Sequence, residues 1–431
     1  VQRLGEVLLF LQRPDGTIPL FGDDDGGRLV QLDDRWPRDV RALLATAGAI
    51  LGRGDFVWAG RGELASVLWL AGPAGLERLD ALPAHPPRQR SRAFPDGGFY
   101  VLRDGWGADA DWLAADAGPH GVMNCGHAHA DALAFELVVG GRPVLMDAGT
   151  YVYHQPARNE FRAASAHNAI IIDGVPSSEP TSAFQWAHIA HGVGERALTE
   201  GPVELWEGAH DGYGRLPDPV AVRRGVMAVQ GDYWLLRDRV TASGEHRLHW
   251  RFQLAPGLGT CMDHDGVTVI DAHGDEVIRL AAPISGLSWQ VTDGWVSPTY
   301  GHRDRAPVIT AARQGLGAHD VVIWMLPRRA PWRGARPVAL PCEGGCAFVL
   351  RGEGVEDLVL LGGGGALRAG GVETDAEWLW LRRRPDGSGE CVSIGATRLH
   401  VGGRRVFEER ERAPYRMDEL PGGAGVPAAA S

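Results

Sequence analysis

The segment Asn124–Asp173, NCGHAHADALAFELVVGGRPVLMDAGTYVYHQPARNEFRAASAHNAIIID, concentrates the side chains that could do chemistry. His127 and His129 are separated by a single alanine, Asp147 follows, and His167 stands beside Asn168. Two imidazoles and a carboxylate suit a divalent cation. Zn²⁺ takes such N and O ligands at about 2.0–2.2 Å and keeps a fourth position for water or substrate. Other divalent ions would accept the same set. The competing reading is a group of strand-end histidines hydrogen-bonded to backbone. A histidine left outside the metal set titrates near neutrality and can move a proton.

The elements that must position these groups are also legible. Leu133, Phe135, Leu137 and Val139 alternate, Gly140-Gly141 supplies a two-residue turn, and Val144–Asp147 returns. If the outgoing strand extends back through His129 and His127, both imidazoles share the face of Phe135, because side chains repeat every two residues. This arrangement conflicts with a metal site. With Gly140-Gly141 as the turn, Asp147 faces Ala134, which lies about 16 Å along a strand from His129. The chain must therefore bend around Ala128–Ala132, or the register must differ.

Residues 1–85 read as helical. Leu4, Val7, Leu8 and Leu11 form one apolar stripe, Val40–Leu51 carries Leu43, Leu44, Ala47, Ile50 and Leu51, and Glu63–Leu70 is a further apolar helix. The intervening FGDDDGGRL, Phe21–Leu29, lacks the twelve-residue loop and terminal glutamate of a calcium site and reads as an exposed turn with helix caps. LPAHPPRQRS, residues 82–91, reads as a linker. From Phe94 the period becomes two, and strand candidates recur from Gly98–Arg103 to Cys391–Val401 with no helical runs between them. The expected fold is mainly β: a large antiparallel β-sandwich over 86–412, preceded by a few helices. The Gly/Ala/Pro composition of 413–431 predicts a disordered tail. Of the 15 tryptophans, Trp234, Trp250, Trp378 and Trp380 lie at strand positions and are expected in the core rather than stacked on sugar.

Composition narrows the function classes. The chain carries 43 basic and 54 acidic residues, a net charge of −11, which argues against a general nucleic-acid binder. A local Arg-lined groove for an acidic polysaccharide remains compatible with it. Every basic residue is arginine, a bias most simply explained by coding composition. No apolar run reaches the roughly 18 residues that span a bilayer. Five cysteines do not make a disulfide framework, and Cys342 and Cys346 either pair or, preferably, are buried thiols. The chain opens on Val1 in what reads as helix interior, so it is expected to be truncated, and a missing signal peptide is uninformative.

GPHG (Gly118–Gly121), GHAHADALAF (Gly126–Phe135), DAGTYVY (Asp147–Tyr153) and NEFRAASAHNAIIIDG (Asn159–Gly174) resemble the heparinase II/III family of polysaccharide lyases in wording, order and spacing. FPDGGFYVLRDGW and FGDDDGG also look like that family. The resemblance implies an α/α toroid followed by an antiparallel β-sandwich, with the helical start here as the remnant of the toroid. It places the metal ligands on His129, Asp147 and His167 and the catalytic histidine on His127. The toroid's proton-transferring tyrosine and its carboxylate-neutralising Asn or His would lie upstream of Val1, so the chain alone is expected to be nearly inactive. The sequence departs from the family at Ala128, where glycine is common, and at Ala164 or Ala169, where threonine is frequent.

The implied reaction removes the C5 proton of a uronic-acid residue and expels the 4-O-linked sugar. Donors must neutralise the carboxylate as an enolate-like state forms, and a base and an acid handle the protons. The metal, most simply zinc, is expected to hold the backbone that aims His127. Asn168 is expected either to fix a tautomer or to donate to the substrate, and Tyr151, Tyr153 and Arg162 either to contact the sugar chain or to serve as packing (the tyrosines) and a surface or structural ion pair (Arg162). The implied setting is the periplasm, cell envelope or exterior; a homodimer is compatible with the family. Two other readings are a non-catalytic carbohydrate-binding β-sandwich and a hydrolase in which zinc activates water.

Overall fold

The computed structural model describes residues 2–417, apart from 29, 31, 33, 34, 61, 155, 284 and 285. Contacts divide the chain into two compact units, residues 1–278 with 286–322, and 279–285 with 323–431. The single sandwich expected over 86–412 spans that division.

The first unit opens with four helices: α1 Gln2–Leu11, α2 Arg41–Leu51, α3 Gly54–Ala59 and α4 Ala65–Ala81. α4 runs past the expected Leu70 and kinks at Gly72, whose φ of 68° precedes Pro73. The buried faces match the periodicity only in part: Leu11 and Leu44 are buried as expected. Leu4, Leu43, Ile50, Leu64 and Trp69 are exposed, whereas Leu9, Phe10, Leu44 and Phe56 are buried. These four pack with Val101, Trp112, Ala114 and Val138 of the following sheet. α1 and α2 are apolar on more than one side, and burial follows the side that meets the sheet.

That sheet has five antiparallel strands in chain order: Arg92–Phe94, Phe99–Arg103, Trp112–Asp116, Phe135–Val139 and Arg142–Leu145. The Gly140-Gly141 turn is present, with φ of 55° and 77°, values that only glycine adopts freely. Val139 pairs with Arg142 and Val138 with Pro143, as the two-residue turn requires; a bulge then shifts the register so that Leu137 pairs with Leu145. A four-stranded sheet contains Ile170–Ile172, Glu245–Gln253, Ser288–Thr299 and His302–Leu316. It meets the first where Met146 N–H donates to Gln253 O and Ala255 N–H to Val144 O. Both rest on a large sheet that includes Gly192–Leu198, Val203–His210, Ala221–Val229 and Tyr233–Thr241. Tyr100 packs on Trp206 with ring centroids 5.9 Å apart. Trp250 Nε1–H donates to Asp238. This is the expected antiparallel β-sandwich. An α-helix, α5 Ala157–Arg162, interrupts the β region, which the strand pattern did not anticipate.

In the second unit a single antiparallel sheet contains Gly345–Gly352, Val355–Gly362, Trp378–Arg383, Gly389–Val401 and Arg404–Met417. Its core includes Leu358, Leu360, Leu379, Leu381, Leu399 and Val401. Residues 413–417 belong to the last strand rather than to a tail, and 418–431 lie outside the described residues. Trp234, Trp250, Trp378 and Trp380 are buried as expected. Cys342 and Cys346 are half-buried thiols.

His246 lies near the start of the strand Glu245–Gln253. Its Nδ1 lies 2.7 Å from Asp173 and its Nε2 2.8 Å from Asp218. Two carboxylate acceptors require both ring nitrogens to donate, so the imidazolium is the form that fits. Burial opposes that charge, but the bonds to Asp173 and Asp218 outweigh it and raise the pKa above 6.5. Both carboxyls are held below 3.8, by bonds from His246 and from the backbone. A raised folded-state pKa gives stability that is complete below pH 6.5 and lost as pH rises through the folded value. Thermal unfolding should therefore show wild type losing stability through the neutral range, and His246→Gln should flatten that slope. An unchanged slope in the variant would contradict the latch.

Candidate metal centre and its neighbouring histidine

His127 and His129 do not lie on a strand. The outgoing strand begins at Phe135, and residues 118–134 wind as turns in front of it. The expected sharing of the Phe135 face is therefore replaced by a bend. Leu133 takes φ 63°, a left-handed conformation that a leucine adopts only when its surroundings enforce it. Leu133 N–H donates to Asp116 O and Ala134 N–H to Asp131 O. The buried Arg224 guanidinium, paired with Asp238, donates to Leu133 O and Asn168 O, tying the bend to the residue after His167. Ala130 N–H donates to Arg162 O.

Bend and bulge together resolve the conflict in spacing. One ligand atom from each of His129, Asp147 and His167 lies within 4.8 Å of the others, and all three residues are buried. Asp147 is fixed at its N–H and both carboxylate oxygens: its N–H donates to Glu136 Oε1, its Oδ1 accepts from Gly149 N–H, and its Oδ2 lies 2.6 Å from His167 Nδ1. Glu136 also accepts from Leu20 N–H and pairs with the buried Arg13, so the segment after α1 braces the ligand.

The central group is one that the sequence reading placed in an exposed turn. Asp23 has a side chain only 1% exposed and caps no helix. Its Oδ1 lies 2.9 Å from His129 Nε2 and its Oδ2 3.0 Å from His127 Nδ1. Thr150 Oγ1–H donates to it, and Arg158 grips both carboxylate oxygens from a fully buried position. Burial alone would raise the carboxyl, but bonds and charge from His129 and then Arg158 hold it below the usual range. An ionised carboxylate only accepts, so both imidazole nitrogens facing it must carry hydrogen. His129 Nδ1 is then the lone-pair atom. It is buried with no hydrogen-bond partner among the described residues, as is Nε2 of His167. A buried unpaired nitrogen is costly, and a cation would satisfy it, with Asp23 as the carboxylate behind a ligating histidine. The donor set fits a divalent metal. The same logic leaves His127 Nε2 with its lone pair on a side chain 71% exposed.

Other expected contacts sort by exposure. Tyr153 lies beside His127, ring centroids 5.9 Å apart, with its hydroxyl toward Asp25. Burial and the nearby Asp23 and Asp25 raise its pKa. Tyr151 is half-buried against Phe161. Asn168 and Arg162 are not available to a sugar chain. Asn168 is 1% exposed and joins Phe135 O, Met146 O and Gln253 N. Arg162 is fully buried, donates to Ala183 O and stacks on Trp186. Arg158, four residues earlier on the same face of α5, was missed although that spacing points both side chains one way. A cavity of about 350 Å³ adjoins His127 and is lined by Phe21, Asp116, His120 and Asp131 among others. Burial, then the Arg162 charge, pushes His120 down to about 4, and burial with Asp131 nearby pushes Asp116 up to about 8.

The model of the family described as heparinase II/III-like, C-terminal, matches residues 86–323. A heparin-sulfate lyase of Bacteroides stercoris is 25% identical over 224 residues, covering 50% of this chain and 31% of that protein. One from Pedobacter heparinus is 26% identical over 264 residues, covering 59% and 33%. The crystal structure of a heparan sulfate lyase from Pedobacter heparinus superposes with TM-score 0.63 at 19% identity, over 84% of this chain and 52% of that one; this likeness shows the fold. The chain thus spans about a third of the length of those two relatives. With a family model matched over more than half its residues, on the sandwich that carries the histidine, aspartate and arginine cluster, this chain belongs to the heparinase II/III-like family.

Proposed function

We propose that this chain is the sandwich part of a polysaccharide lyase that cleaves an acidic, uronic-acid-containing glycan by β-elimination. The observation that carries the reading is the double grip of Asp23, which joins an exposed imidazole to a buried ligand set. Through its hydrogen bond to Asp23, His127 is held in one tautomer, with Nε2 turned outward to take or return a proton. Asp23 also stabilises the imidazolium formed when that nitrogen is protonated. Arg158, donating to both oxygens of Asp23, keeps the carboxylate charged and fixed. Tyr153 and Phe184 flank the imidazole and limit its swing. His129, Asp147 and His167 would hold the metal, zinc by the donor set. When bound, it would add positive charge and lock the turn that carries His127.

A purely carbohydrate-binding sandwich has no use for an exposed histidine oriented by a buried carboxylate. The names of the relatives and the acidic substrate they imply support a setting in the periplasm, cell envelope or exterior. No described helix is long and apolar enough to cross a membrane. Incubation of the protein that also carries the toroid with heparan sulfate and with alginate tests the reaction. The expected product is an unsaturated sugar absorbing in the ultraviolet. Saturated ends would identify hydrolysis, and intact glycan would favour the binding module; either contradicts the reading.

A further inference from the structure

The loop after Asp147 carries two tyrosines that face different neighbours. Tyr153 leans toward His127 and Tyr300, its N–H donating to the Tyr300 hydroxyl. Tyr151 O accepts from Gly301 N–H, so the loop is docked on the tip of the hairpin formed by Ser288–Thr299 and His302–Leu316. From that tip a ladder of cations and rings runs along one face of the hairpin. The Arg303 guanidinium lies 4.7 Å from the Tyr151 ring and 4.3 Å from the Trp295 ring. Arg305, the cross-strand partner of Trp295, lies 5.3 Å from that indole.

Arg303 is the informative member. It is half-buried between two aromatic rings and makes no ion pair or hydrogen bond among the described residues. Most buried arginines nearby are committed: Arg158 to Asp23, Arg162 to carbonyls, Arg224 to Asp238. Stacking on rings occupies only the flat faces of a guanidinium and leaves its in-plane N–H groups free for an oxyanion. Among the described residues Arg305 forms an ion pair with Asp293 alone, at 3.6 Å, with both side chains largely exposed (74% and 88%). Such a pair is weak and exchangeable. A planar cation fork beside half-buried indole and phenol rings is suited to a ligand bearing carboxylate or sulfate on an otherwise ring-shaped, C–H-faced body.

Resting on the lyase reading above, we propose that Tyr151, Arg303, Trp295 and Arg305 form a subsite for the anionic groups of the sugar chain, reached from His127 through Tyr153. Arg303 takes a carboxylate or sulfate through its free edge, Trp295 and Tyr151 cover a sugar face, and Arg305 exchanges Asp293 for a second anion.

Affinity electrophoresis of the whole chain in heparan sulfate, alginate and neutral dextran tests this, with Arg303→Gln, Arg305→Gln, the double variant and Arg142→Ala as an exposed arginine elsewhere. Charge-assisted hydrogen bonds of this kind lead to an expected loss of about tenfold or more in the double variant. Arg142→Ala and wild type should bind alike, and dextran should not retard any of them. Arg305→Gln alters a solvent-facing side chain, so it reports even if Arg303→Gln unfolds. Acidic glycan bound equally by wild type and both single variants would overturn the subsite and leave the lyase reading standing. Failure of wild type to bind either acidic glycan would overturn both. Equal, Arg303-dependent retention of a single-stranded DNA oligonucleotide would overturn the assignment to sugar.

Discussion

Asp23→Ala should lower the unfolding free energy by about 3–5 kcal/mol and, in the protein that also carries the toroid, remove nearly all of the proposed lyase activity. The magnitude follows from what stays behind. Arg158 is fully buried, and its charge faces no other carboxylate among its hydrogen-bond partners, only the carbonyls of Ala183 and Gly126. Removing one partner of a buried ion pair costs about 3–5 kcal/mol because the other charge remains uncompensated. The same change frees the Nδ1 of His127 and the Nε2 of His129, so tautomer and orientation are lost at both rings. Asp23→Asn retains an acceptor but not the charge and should fall between wild type and alanine in denaturant midpoint. The depressed carboxyl of Asp23 contributes stability above pH 3.8 that is lost as pH falls through its lower folded value. Asp23→Ala should therefore blunt acid unfolding. A variant with wild-type midpoint and turnover would show that the carboxylate is incidental.

His127→Ala should separate the two effects: in the same toroid-bearing protein it abolishes the proposed turnover and leaves the fold intact. A positioned acid–base group contributes about 10²–10⁴-fold, and this one has no substitute on the same turn, since His129 faces the ligand set. The side chain is 71% exposed, so its truncation creates no cavity, and metal content and thermal midpoint should match wild type. Turnover reduced only a few-fold would move the proton-transfer role elsewhere. A parallel loss of metal would mean that His127 belongs to the ligand set.

Periodicity sufficed for the strands because a half-buried sheet imposes its period of two on the chain locally. The Gly140-Gly141 turn was legible for the same reason, since two positive φ angles are needed there. The bend at Leu133 was not. It is enforced by Asp116, Asp131 and Arg224, and Arg224 lies far away in sequence. The cluster of His129, Asp147 and His167 could be named from its residue types, yet its geometry depends on that bend and on the bulge at Leu137. Asp23 was misread because three aspartates before two glycines look like any solvated turn. Its burial depends on Arg158 and the two histidines, more than a hundred positions away. Asn168 and Arg162 failed in the opposite sense: polar residues inside a catalytic motif suggested substrate contacts, whereas both satisfy buried backbone groups. The helix stripes were found, but α1 and α2 are apolar on several sides, and periodicity alone does not say which side the sheet will cover.

The account rests on one ion-binding pocket beside one oriented imidazole. Metal analysis of the purified wild type against His129→Ala, with thermal unfolding to confirm that both are folded, tests it most directly. One tightly held divalent ion per chain in wild type, lost in the variant, is the expected result. Equal metal content in the two folded proteins, or none in wild type purified from metal-replete buffer, would contradict it.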